Sequence, residues 1–103
     1  MFKKDRRYVT KGVNAEIDIR LQYIMWEMID ELKVEEKVKL DYLQIFRFEK
    51  NSDNSLIIEQ SQEVPRYKLK KQIPIESSTK LTKDKVYVID SGEYSTMLLP
   101  EEY

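Results

Sequence analysis

Residues 16–34 read EIDIRLQYIMWEMIDELKV, and this stretch decides the fold. Ile17, Leu21, Ile24, Met25, Met28 and Leu32 recur at three- and four-residue spacing, the pattern of a helix with one face in a core. The helix is expected from Glu16 to Val34 or slightly beyond, capped by Asn14 or Asp18, with Glu16 favourably placed for the macrodipole. Glu31, Glu35 and Glu36 lie at its unfavourable end, Lys33 and Lys37 at their favourable one.

Outward from the helix the chain reads as strands. Before it, Tyr8-Val9-Thr10 are β-favouring and end at Gly12. After it, Tyr42–Phe48 and a strand beginning at Leu56–Ile58 flank the polar loop Lys50–Ser55, which makes a hairpin. Pro65 implies a bend, a bulge or an edge. In Arg66–Ile73 the residues Tyr67, Leu69 and Ile73 face one side, and Arg66, Lys68, Lys70 and Gln72 the other. Val86–Ile89 and Tyr94–Leu99 form a last hairpin, with a three-residue turn and Gly92 in the left-handed position. In that register Val86, Val88, Tyr94 and Leu98 share one face, and Tyr87, Ile89, Met97 and Leu99 the other. Both faces are apolar and one helix covers only one of them, so a curved sheet is expected, with a dimer as the second solution.

Composition narrows the function. The 103 residues suffice for one hydrophobic core, so residues 1–103 are read as a single α+β domain. The absence of cysteine removes disulfides, thiolate nucleophiles and cysteine-bound zinc; the absence of histidine removes the commonest general base and metal ligand. No apolar run approaches the length of a membrane span, and no signal peptide is read at the N-terminus, so a cytoplasmic protein is expected. The net charge of −1 hides segregation: residues 1–13 are basic, 14–36 acidic and 66–85 basic.

Three features are weighed as sites. Ile19, Tyr23 and Trp26, with Asp30 in line, form a second stripe roughly opposite the first, with the composition of a protein-binding hot spot; the competing reading is that the N-terminal strand or a loop folds over it. Arg66, Lys68 and Lys70 stand at a spacing near that of nucleic-acid phosphates, although lysines on one side of a strand also keep an edge soluble. The acids Glu59, Glu63, Asp90, Glu93, Glu101 and Glu102 would serve acid–base chemistry or magnesium only if two converged.

Arg7–Val13, Leu21-Gln22 with Trp26 and Ile29-Asp30, Asp41–Phe46, Gln62–Pro65 with Tyr67-Lys68, Val88–Asp90 and the ending Met97–Tyr103 together resemble a small family of Gram-positive bacterial proteins, the domain of unknown function numbered nine-sixty. The resemblance spans nearly the whole chain and departs at Val34–Leu40. It implies members often encoded alongside mobile elements, and no activity, cofactor or catalytic residue.

The expectation is therefore one helix on a curved, mainly antiparallel sheet, in the order β-α-β-β-β-β-β. Functionally it is a non-enzymatic cytosolic module, without cofactor, metal or small-molecule substrate, that meets a protein partner or a second copy through Ile19, Tyr23, Trp26 and Asp30. The alternative is weak nucleic-acid binding through Arg66, Lys68 and Lys70.

Overall fold

The computed structural model describes all residues, Met1–Tyr103. Strand β1 (Arg7–Val9) leads into a short helix α1 (Lys11–Glu16) and the main helix α2 (Ile19–Glu35). Strands β2 (Leu43–Ser52), β3 (Ser55–Glu63), β4 (Arg66–Pro74), β5 (Lys85–Asp90) and β6 (Ser95–Leu98) follow, and a 3-10 turn at Pro100–Glu102 ends the chain. The sheet order is β1-β6-β5-β2-β3-β4. All pairings are antiparallel except β1 with β6, so the sheet is mixed.

The expected single helix is two. Thr10 caps α1 by accepting the Val13 N–H, and Ile17 then turns extended. Ile17 bridges to Leu81, and the Asp18 N–H donates to the Lys80 carbonyl at 2.8 Å. This outside partner breaks the helix, and Asp18 caps a new one by accepting from Arg20 N at 2.9 Å. Glu16 therefore closes the first helix rather than opening the second. At the far end Glu36 adopts a left-handed cap.

The inner sheet face carries Phe46 and Phe48 of β2, Leu56 and Ile58 of β3, Val86 and Val88 of β5, and Met97 of β6. Against it pack Leu21, Met25, Met28 and Ile29 of α2, with Val13, Ile17 and Phe2. Fully burying each such side chain contributes about 1.5–3 kcal/mol. Three buried glutamines, Gln44, Gln60 and Gln62, enter this layer as one connected chain. Gln60 donates to Gln44 at 2.9 Å, Gln44 donates to Gln62 at 2.8 Å, and Gln62 donates to the carbonyls of Lys39 and Pro65. These amides tie the loop after α2 to the tight turn at Val64–Pro65, where Pro65 joins two strands rather than marking a bulge.

The last hairpin differs from the expected register. Val88 pairs with Met97 and Tyr87 with Leu98, because Tyr94 belongs to the loop, where Ser91 N donates to its carbonyl at 2.8 Å. One added loop residue exchanges the faces of the whole strand. Met97 thus joins Val86 and Val88 inside, while Leu98 joins Tyr87 outside. Gly92 does take the positive φ, at 99°. The outer face keeps its own apolar patch. Ile45 and Leu98 are buried there, beneath a Tyr87–Tyr103 edge-to-face pair with ring centres 5.8 Å apart.

Candidate functional site

Because α2 turns Leu21, Met25, Met28 and Leu32 toward the sheet, its opposite side must meet something else. Buried Phe2 anchors the N-terminal segment, and Lys4 and Arg7 after it stand beside α2. Between that segment and the helix lies an open groove of about 680 Å³, with Tyr23, Trp26 and Val34 on the helix wall and Lys4 and Arg7 opposite.

Parallel pairing of β1 with β6 puts Tyr8 on the outer sheet face and Arg7 on the helix side. Arg7 meets Asp30 through two hydrogen bonds, Nη1–Oδ2 at 3.1 Å and Nη2–Oδ1 at 2.5 Å. Its Nη2 also donates to the Phe2 carbonyl at 2.8 Å, and the guanidinium carbon lies 4.8 Å from the Trp26 ring centre. The side chains of Arg7 and Asp30 are 13% and 24% exposed, so this pair is screened less than a surface ion pair.

The four residues of the predicted stripe thus divide. Asp30 and Trp26 are half-buried beneath Arg7, whereas the competing reading had the whole stripe covered. Ile19 and Tyr23 stay open, at 53% and 67% exposure, and Val34 extends the line at 81%. Arg7 was not singled out from sequence; the only signal was the basic 1–13 segment preceding an acidic helix.

Arg66, Lys68 and Lys70 stand exposed on the outer face of β4. Their cross-strand neighbours are Glu63, Ser61 and Glu59, and Lys68 approaches Glu59 at 3.6 Å. Arg47 reaches the same carboxylate at 4.0 Å, so acids interleave this basic face.

Of the six acids, Glu59, Asp90, Glu101 and Glu102 already have partners within the fold. Asp90 accepts from the Phe2 N–H, Glu101 pairs with Lys83 at 2.9 Å, and no three carboxylates group as a metal site. Glu102 has a separate task. It accepts from Thr10 Oγ1 at 2.6 Å, from Leu99 N at 2.8 Å and from Gly12 N at 3.3 Å, which docks the C-terminal turn on the start of α1. Chiefly the Thr10 hydroxyl, then the Leu99 N–H, holds its carboxyl below the usual range. No helix is long and apolar enough to cross a membrane.

No curated protein matches the chain. The structure is similar to a solved protein of unknown function from Enterococcus faecalis, with a TM-score of 0.83 and 28% identity over 100% of this chain and 98% of that one. Residues 6–102, which include the Arg7–Asp30 pair and the Glu102 latch, match the family described as Staphylococcal protein of unknown function (DUF960), and the chain belongs to that family.

Proposed function

We propose that this chain is a non-catalytic protein-interaction module whose contact surface is the α2 groove together with the exposed Ile19 one turn before it. The observation that carries the reading is the line of large apolar side chains left open on α2, Ile19, Tyr23 and Val34, around a Trp26 already held in place by Arg7. A rigid aromatic anchor beside exposed apolar neighbours is what binding hot spots are made of, since little side-chain freedom is lost on contact. Cytoplasmic residence accords with the lack of cysteine. The lack of histidine and the carboxylates already partnered within the fold favour binding over catalysis.

Nucleic-acid binding through Arg66, Lys68 and Lys70 has less support, because Glu59 and Glu63 would repel the same phosphates.

The test is affinity capture from a Gram-positive host with wild-type protein and with the Ile19→Ser/Tyr23→Ala variant. Both side chains are exposed, so the variant is expected to fold normally by circular dichroism. A partner retained by the wild type and lost by the variant supports the groove. An unchanged set of captured proteins defeats it.

A further inference from the structure

The acidic side chains beside the open stripe indicate what kind of partner it fits, and this argument rests on the groove being the contact surface. Glu27, Glu31 and Glu35 follow one another at four-residue intervals, so they form one row along α2 at the edge of the groove. Like charges at this spacing disfavour the helix. Glu35 also occupies the last turn, where the macrodipole opposes an acid. Relief from within the chain is slight. Lys71 approaches Glu31 at 3.6 Å and Lys37 approaches Glu35 at 3.0 Å, both as solvent-exposed pairs, which contribute little. A helix that breaks local rules along one line, next to uncovered Tyr23 and Val34, has the signature of a site kept for something outside the chain.

The shape specifies the partner further. Ile19, Tyr23, Trp26, Asp30 and Val34 are spaced four, three, four and four, close to the 3.6-residue turn, so they form one nearly straight line along which a second helix can lie. The line runs about 22 Å at 1.5 Å per residue. The backbone of α2 is bonded internally and offers no strand edge for an extended peptide to join. A second copy fits poorly, since a two-fold pairing centred near Trp26 sets Glu27 against its own symmetry mate.

We infer that the groove takes an amphipathic helix of about four turns from another protein, with aliphatic side chains against Tyr23, Trp26 and Val34 and a row of lysines or arginines against Glu27, Glu31 and Glu35. The Arg7–Asp30 pair, already joined through both carboxylate oxygens, sets one polar position on that seam. Such a position selects register, as a lone polar residue does in a coiled coil.

The experiment uses two pools of synthetic helical peptides, about fifteen residues long to match the line of the stripe. They share one apolar stripe and are flanked either by Lys and Arg or by Glu and Asp. Each pool is titrated against the full chain with Trp26 fluorescence as the readout. Binders are expected from the basic pool, with affinity falling as salt is raised. The Glu27→Lys/Glu31→Lys variant should weaken them by about tenfold or more and accept the acidic pool instead. Equal binding of acid-flanked peptides by the wild type overturns the inference, as does a Trp26 signal unmoved by either pool. If those failures occur while Ile19→Ser/Tyr23→Ala still abolishes partner capture, the basic helix is refuted and the groove stands. If capture too is unchanged, the groove itself is refuted.

Discussion

Arg7 and Asp30, far apart in sequence, meet as a two-pronged ion pair with contacts of 3.1 and 2.5 Å, and the same guanidinium lies over the face of Trp26. One side chain therefore ties β1 to α2 and fixes the aromatic floor of the groove. Asp30→Ala is expected to cost about 1–3 kcal/mol in urea denaturation, because it strands a largely enclosed guanidinium. Arg7→Lys should recover only part of the loss of Arg7→Ala, since an ammonium reproduces neither the fork nor the stacking. Equal stability of all three variants and the wild type would show that the pair does not hold the strand to the helix.

Trp26 and Tyr23 neighbour each other on the groove wall but differ in burial, so their truncations should separate. Trp26→Ala should cost about 1–3 kcal/mol, less than a fully buried aromatic. Tyr23→Ala, at an exposed site, should stay within about 0.5 kcal/mol of wild type. Emission from Trp26 should lie between the buried and exposed extremes and be partly quenched by acrylamide. Full exposure would mean that Arg7 does not cover the ring.

Gly12 and Glu102 are expected to be strongly coupled. A Cβ at Gly12 would lie 2.7 Å from a Glu102 carboxylate oxygen, too close for both to keep their places. Gly12→Ala should be near neutral in the wild type, because displacing the Glu102 carboxylate costs about as much as alanine's better helix propensity returns, each about 1 kcal/mol. In a Glu102→Ala background the same change should stabilise by up to about 1 kcal/mol, because alanine favours a helix over glycine and no carboxylate stands in the way. A double-mutant cycle with no coupling would mean that the C-terminal turn is not docked.

Acid should loosen the same latch. The folded Glu102 carboxyl titrates below its ordinary value of 4.5, so the fold favours its ionised form. That contribution is complete above the ordinary value and disappears as pH falls through the lowered one. Wild type should thus lose more stability than Glu102→Gln when pH is taken from neutral to well below 4.5. The difference should be small, since the group is largely exposed. Parallel pH profiles would remove Glu102 from the acid response.

The core face of α2 was legible because burial imposes a helical period on sequence: Leu21, Met25, Met28 and Leu32 are all buried. The α+β class followed from the alternation in the later strands, and Arg66, Lys68 and Lys70 do share the outer face. The break at Ile17–Asp18 was not legible. It depends on the Lys80 carbonyl, sixty-odd positions away, and local propensity holds no record of such a partner. The face exchange in β6 turned on one loop residue, and period-two patterns become ambiguous where both faces are apolar, as at Met97, Leu98 and Leu99.

The second stripe shows the same division. Sequence alone placed Ile19, Tyr23, Trp26 and Asp30 on one side of a helix, because helical geometry is local. Which of them stay open was decided by β1, whose parallel pairing with β6 aims Arg7 at Asp30 and lays it over Trp26. That pairing joins the two ends of the chain, and Glu102 reaches Gly12 across the same distance. Contacts of this kind leave no periodic trace in either partner, since each side chain satisfies a requirement set by residues remote from it. Helix, strands and class are therefore written in local spacing, whereas the groove exists only once Lys4 and Arg7 of the N-terminal segment stand beside α2.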